Sequence, residues 1–366
     1  MTRPLILFGA FDRHNFGDLL LAHCAIAARR GSDAVLAGLA DRDLRPFGGH
    51  HVQTLDGVIR SYGDEAADFV HVGGEILTTT AWEVAVMLQT RDEAARAIAT
   101  WDSKPAARDA WAARVLGTNR QLPYVCPAFD LPPRWDVHFD AVGGVGLRDL
   151  PHPLRDEAIA ALRTAISVSV RDATTFAALR QAGVEASLVR DPAATTAARF
   201  APLIARYAVQ GESARIARSI PRRLAVQIAA DWGDDATLDA VASAAHATAV
   251  ALRAGIVLFR AGTAPWHDDD AVLDRLATRL RASDPQQPPA RFGSTHVFDL
   301  CALLAGSVGY LGTSLHGWIV ADSFGVPAAC LVASPVSKAA AYLDTWGGAN
   351  RRWFARSELP GREALL

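Results

Sequence analysis

Five short stretches of this chain pair glycine or a small polar residue with a side chain able to do chemistry. They are AFDRHNFGDLLL (residues 10–21), HVGGEILTT (71–79), AVGGVGL (141–147), VSVRDATTFAAL (168–179) and YLGTSLHGWIV (310–320). In each, an apolar run meets a turn and a helical pattern follows. Glycine lets the backbone approach a ligand or take positive φ. The N–H groups and positive dipole end of the next helix favour an anion. Arg171, at the last position of its run, has a guanidinium fork suited to a carboxylate or phosphate; the alternative is an ion pair with a neighbour such as Asp191. His316 falls just inside a helix that Thr313 or Ser314 caps, where an imidazole can bind an anionic ligand or move a proton near neutral pH. Asp172 reads as an N-cap. Asp18 reads equally as a cap or as a general base, because Asn15 and glycine already shape that helix start.

Such turns need a scaffold that gathers them. Short runs rich in Val, Ile and Leu alternate with Ala-rich helical stretches along nearly the whole chain, which predicts α/β structure with parallel strands and crossover helices. Strands are expected at residues 5–9, 34–37, 69–72, 124–126, 141–142, 166–170 and 187–189. A second series is expected at 224–228, 256–259, 296–298, 308–311 and 328–332. In an open parallel sheet the five turns all lie on the carboxyl edge, where ligands bind. The chain of 366 residues suits two domains. The expected divisions are an N-terminal domain over 1–197 carrying Arg171, a helical or irregular linker over 198–222, a C-terminal domain over 223–335 carrying His316, and a helical tail over 336–366. Residues 122–136 and 283–293 are proline-rich and read as loops. Residues 78–117 read as a helical insertion whose Trp82, Trp101 and Trp111 pack a core or stack on an acceptor.

Composition removes other classes. Half the residues are hydrophobic, 21% are charged and the net charge is -2, so neither disorder nor a basic field for nucleic acid or membrane is indicated. Cys24, Cys126, Cys301 and Cys330 are far apart in apolar settings and read as reduced core residues. The apolar run at the start is a buried strand and no run is long enough to span a bilayer; the expectation is a soluble, cytoplasmic protein. GGVG at 143–146 is not the GxGxxG dinucleotide fingerprint. The acidic cluster WHDDDAVLD (266–274) reads as a helix start favoured by the dipole and not as a metal site.

Taken together, NFGD (15–18), VGGEIL (72–77), GGVGL (143–147), SVRD (169–172), VRDPA (189–193) and SLHGWIVADSFGVP (314–327) resemble, in order and spacing, the polysaccharide pyruvyl transferase family. The likeness runs from about residue 5 to 333. It implies a GT-B-like protein, two Rossmann-like parallel-sheet domains facing across a cleft. The implied activity moves the enolpyruvyl group of phosphoenolpyruvate onto two hydroxyls of a saccharide, leaving a pyruvate ketal and phosphate. The acceptor would be a nucleotide- or lipid-linked saccharide, with no cofactor beyond phosphoenolpyruvate as co-substrate and no metal. On this resemblance Arg171 and His316 hold the donor anion, helped by Gly73, Gly74, Gly312, Thr313 and Ser314. Asp18 is the candidate base, and Asn15 and Glu75 face the acceptor. Two positions depart from the family: Ser314 replaces a common arginine, for which Arg260 is the candidate substitute, and Glu75 replaces a third glycine. Two other readings use the same features: a GT-B glycosyltransferase acting on a nucleotide sugar, and a non-catalytic member that binds a saccharide or partner.

Overall fold

The computed structural model describes residues 3–29, 34–348, 352–361 and 364–366. The chain divides into two compact units, Met1–Pro192 and Ala193–Leu366. In the first, eight strands form one sheet: β1 (Leu5–Phe8), β2 (Ala34–Gly38), β3 (Arg42–Asp43), β4 (His51–Thr54), β5 (Ala67–Val72), β6 (Trp135–Val142), β7 (Ser167–Val170) and β8 (Ser187–Leu188). Their order is β3-β4-β2-β1-β5-β6-β7-β8, and the pairs are parallel apart from β3 with β4. In the second, six parallel strands run β11-β10-β9-β12-β13-β14. They are β9 (Arg223–Gln227), β10 (Gly255–Leu258), β11 (Ala290–Arg291), β12 (Gly309–Gly312), β13 (Ala328–Val332) and β14 (Trp353–Ala355).

The apolar runs explain the central strands. LILF of β1 and AACLV of β13 are buried at every position, as strands covered on both faces must be. Each unit has its own core, around Phe8, Phe69 and Phe139 in the first and Leu224, Leu258, Leu311 and Leu331 in the second. The four cysteines are buried and free. No helix among the described residues is long and apolar enough to cross a membrane.

Several expected elements differ. The stretch 198–222, expected as a helical or irregular linker, is mostly helical, in Thr196–Ala208 and Gly211–Ser219, and is grouped with the second unit; the former helix packs on the helix Val297–Ala305. The stretch expected as a strand at 296–298 starts that helix, with His296 as its N-cap; Ala290–Arg291 takes the edge position instead. Residues 336–366 contribute the helix Lys338–Trp346 and also β14, which pairs with β13. Strands β3 and β4 are short and polar, so no apolar run announces them. The strand expected at 141–142 begins at Trp135. The insertion forms the helices Ala81–Met87, Arg91–Trp101 and Pro105–Leu116, and Trp82 packs edge-on against Trp111 with centroids 5.3 Å apart, which is core packing.

Residues 124–126, expected as a strand, form an irregular buried segment pinned by side chains. The Tyr124 hydroxyl donates to Asp12 Oδ1 at 2.8 Å, and the Cys126 N–H donates to His71 Nε2 at 3.0 Å. His71 is fully buried, stacks on Phe139 at 3.8 Å, and lies 3.1 Å through Nδ1 from the His138 carbonyl. Its acceptor Nε2 therefore places the proton on Nδ1, in the neutral form. Burial pushes the imidazole down to about 3. The unfolded chain takes up a proton near pH 6.5 that the folded chain refuses, so this residue favours folding less as pH falls from about 6.5 toward 3. His71→Gln removes the dependence. The stability advantage of the parent over His71→Gln, measured by urea unfolding, is expected to shrink over that interval by up to about 1.4 kcal/mol per pH unit; a pH-independent difference would contradict the neutral buried imidazole.

Candidate functional site

In the first unit, three of the five turns converge. The turn after β5 uses Gly73 and Gly74 at φ 40° and 74°, values that an L side chain adopts only with strain. It brings Glu75 beneath the turn after β6, where Glu75 Oε1 accepts the Val145 N–H at 2.6 Å. Arg171, at the end of β7, donates from Nη2 to Glu75 Oε2 at 2.9 Å and from Nη1 to Asp191 Oδ2 at 3.0 Å. It is 2% exposed. Gly143 lies so close that a Cβ there would be 2.9 Å from Arg171 Nε. Burial opposes the charge, yet Asp191 and Glu75 keep the guanidinium above its ordinary pKa. Arg171 thus acts as a buried connector of three segments, with Nη1 and Nη2 engaged by Asp191 and Glu75. Glu75 faces Arg171 and Val145. Asp172 is the N-cap anticipated: its Oδ1 accepts the Thr175 N–H at 2.7 Å, and burial raises its pKa.

The β1 turn is organised by a second buried network. Asn15 caps the helix Phe16–Ala28 by accepting the Gly17 N–H at 2.9 Å, so the expected acceptor ligand serves the backbone. Asp18 is 9% exposed and makes no hydrogen bond among the described residues; its one ion pair is with Arg13 Nη2 at 3.7 Å. It lies over the Gly74 turn, where a Cβ would be 3.3 Å from its Oδ1. Arg13 Nη1 donates to the Tyr124 hydroxyl at 2.6 Å, and burial pushes that phenol well above its usual pKa. Asp12 closes the network, its Oδ2 accepting from the Leu39 and Ala40 N–H groups at 2.6 and 3.2 Å. A carboxylate with open lone pairs beside a cation and a glycine turn is suited to take a proton.

In the second unit, Gln227, the last residue of β9, governs the site. Its Oε1 accepts from the Thr313 N–H at 3.1 Å, the Thr313 hydroxyl at 3.2 Å and the Ser314 N–H at 2.9 Å. Its Nε2 donates to Asp268 Oδ1 at 2.7 Å. Asp268 Oδ2 accepts the Ala261 N–H at 2.5 Å, and burial lifts this carboxyl to about 7. Ser314 caps the helix Leu315–Ser323 by accepting the Gly317 N–H. The Thr313 and Ser314 N–H groups expected to cradle an anion are therefore held by Gln227. Gly312 answers to packing: a Cβ there would be 2.6 Å from the Gln227 carbonyl oxygen. His316, half-buried, projects from the first turn of that helix. Arg260 Nη1 pairs with Asp270 Oδ2 at 2.7 Å; Asp270 is 56% exposed, a solvated pairing of small energetic weight. Among the described residues no group of three or more His, Cys, Asp or Glu side chains is placed to hold a metal. Gln227, Asp268, Arg13 and Tyr124 escaped sequence reasoning; the available sign was a polar residue, Gln227, ending an otherwise apolar strand.

Solved structures show what fold these two sheets make. The chain is similar to a UDP-GlcNAc 2-epimerase from Methanocaldococcus jannaschii, with 10% identity over 98% of this chain and 91% of that chain and a TM-score of 0.57. It is also similar to a UDP-N-acetylglucosamine 2-epimerase from Rickettsia bellii, with 9% identity, coverage of 91% and 80% and a TM-score of 0.52. At such identities the likeness defines the fold, GT-B with two parallel-sheet α/β domains. The family described as Polysaccharide pyruvyl transferase matches residues 141–335, more than half of the chain. The chain belongs to that family of transferases. No curated protein matches.

Removing one partner from a buried charged trio leaves the others unpaired, which costs about 3–5 kcal/mol. Arg171→Ala is accordingly expected to lower unfolding free energy by that order in urea titration, with Arg171→Lys falling between. An Arg171→Ala protein as stable as the parent would show that Glu75 and Asp191 do not depend on it.

Proposed function

We propose that this transferase moves the enolpyruvyl unit of phosphoenolpyruvate onto two hydroxyls of a saccharide, forming a pyruvate ketal and releasing phosphate. The family match over residues 141–335, which takes in Arg171, Gln227, Asp268 and His316, carries this reading. The fold of the solved sugar-nucleotide epimerases is consistent with a saccharide acceptor on a nucleotide or lipid carrier.

The step balances without redox change or metal. A proton added to the methylene carbon makes C2 an oxocarbenium centre, and one acceptor hydroxyl attacks it, losing its proton. The C2–O bond to phosphate then breaks, the second hydroxyl attacks and its proton leaves with the phosphate. The protein must therefore hold an anion, supply an acid and accept a proton. His316 is assigned to the donor anion: the helix start that carries it is fixed by Gln227 and Ser314, and preorganised polar groups are the ones that stabilise developing charge. Arg260 supplies the second cation, since an exposed partner such as Asp270 is readily exchanged for phosphate. Asp18 is the base, with open lone pairs and Arg13 3.7 Å away. Arg171 is a positioning residue that holds the Glu75 and Gly143 turns in register.

Incubation with phosphoenolpyruvate and a panel of nucleotide- and lipid-linked saccharides is expected to release phosphate and raise the acceptor's mass by one pyruvate less one water. Asp18→Asn should lower kcat about 10²–10⁴-fold with little change in KM for phosphoenolpyruvate, and His316→Ala should raise that KM. Nucleotide release from a sugar donor without phosphoenolpyruvate consumption would instead make the protein a glycosyltransferase.

A further inference from the structure

A cavity of about 440 Å³ opens in the first unit, and none of the groups assigned to the reaction lines it. Its lining includes Gly38, the last residue of β2, and Thr54, the last residue of β4. It therefore lies on the carboxyl edge, where open parallel sheets bind ligands. Its other wall is the end of the helical insertion, at Leu116 and Thr118, and the segment from Arg120 to Leu131. Strand β2 neighbours β1, and β4 is the next strand out. Neighbouring strands are about 4.8 Å apart, so the cavity begins about 5–10 Å from the strand that leads to Asp18. Contacts bridge that gap. A Cβ on Gly38 would be 2.7 Å from Asp12 Oδ2, which accepts the Leu39 N–H. The Tyr124 hydroxyl donates to the same carboxylate, Arg13 donates to that hydroxyl, and Arg13 pairs with Asp18. The cavity and the proposed base thus share one buried network.

The charges around the cavity cancel. Asp56 and Arg60 stand one turn apart on the helix Leu55–Tyr62, and Arg120 pairs with Asp130. A diphosphate there would meet as many carboxylates as guanidinium groups. A carboxylate and a guanidinium at i and i+4 can pair on a helix surface. Here neither Asp56 nor Arg60, both exposed, makes a side-chain hydrogen bond or ion pair with any described residue. One is left to accept from a ligand and the other to donate to it. Leu39, Ile59 and Leu131 add apolar surface to the same cavity. A neutral sugar residue matches this mixture, because its hydroxyls both donate and accept while its C–H faces cover apolar side chains.

We infer that this cavity is the subsite for a second, neutral sugar residue of the acceptor, joined to the one that receives the ketal. The assignment rests on the proposed pyruvyl transfer for its choice of a saccharide, but its binding test needs no phosphoenolpyruvate. The parent, the double variant Asp56→Ala/Arg60→Ala and the cavity-filling variant Thr118→Trp would be titrated with lactose, cellobiose, maltose and the methyl glycosides of galactose and glucose. Saturation-transfer NMR would follow binding, and thermal unfolding would be recorded for each variant. The expected result is millimolar binding of at least one disaccharide by the parent, at least about tenfold tighter than its component monosaccharides. Loss of the charged hydrogen bonds in the double variant should weaken it at least about tenfold, and Thr118→Trp should do the same, with both variants as folded as the parent. Absence of disaccharide binding to the parent, equal affinity for monosaccharides, or parental affinity in both folded variants would each overturn the assignment. So would pyrophosphate binding that weakens in Arg60→Ala and tightens in Asp56→Ala, since the cavity would then hold an anionic carrier. If disaccharide binding depends on the cavity while phosphoenolpyruvate is not consumed, the proposed reaction fails and the subsite stands. If phosphoenolpyruvate is consumed with the same acceptor KM in parent and variants, the subsite fails and the reaction stands.

Discussion

The amide of Gln227 is the contact on which the frame of the second unit's turns depends. One side of it accepts from Thr313 and Ser314, the other donates to Asp268, and no other orientation satisfies both. Two loops from different strands of one sheet are thereby fixed by a single side chain that is 2% exposed. Arg171 plays the corresponding part in the first unit, tying the Glu75 turn and the Gly143 turn to Asp191. Both connectors end a parallel strand, where the chain leaves the sheet and its backbone polar groups need new partners.

This arrangement redistributes roles that chemical type alone would assign. A helix start with free N–H groups and an arginine at a strand end are each a natural anion site, yet here both are held by the protein itself. On the proposed function the groups that would meet a ligand lie at the margins of the frames: His316 on the first turn of its helix, Asp18 over Gly74, and Arg260 beside an exposed carboxylate. In that reading the internal frames preorganise these groups, so that little rearrangement would be needed when charge develops. The cost is stability: Trp266 holds left-handed backbone and Asp268 is a carboxyl pushed to about 7 by burial.

The α/β class and nearly all the central strands were legible because apolar runs covered on both faces are unmistakable in a sequence, as LILF and AACLV show. The glycine turns and the Asp172 cap were legible for the same local reason. What escaped was set by distant partners. Residues 124–126 look like a strand, but Tyr124 and Cys126 are drawn to Asp12 and His71, each more than fifty residues away. The pairing of Arg171 with Glu75, ninety-six residues apart in the chain, was likewise not legible in the local motifs. Strands β3 and β4, at one side of the first sheet, are two and four residues of mostly polar sequence (RD, HVQT), and the edge strand β14 is only three residues long, too short for an apolar run to announce it.

The most direct test of the Gln227 frame is the pH profile of the proposed phosphoenolpyruvate turnover by Gln227→Glu. A glutamate there still accepts from Thr313 and Ser314, but it sets a second carboxyl against Asp268, already raised to about 7 by burial. The two must share a proton to stay in contact. The expected profile is activity at acid and neutral pH that falls as pH rises above about 7 and the shared proton is lost, when both ionise and repel, whereas the parent shows no such loss. A Gln227→Glu enzyme with the parent's profile would contradict the account, because the loop and the helix start would then not depend on that one amide.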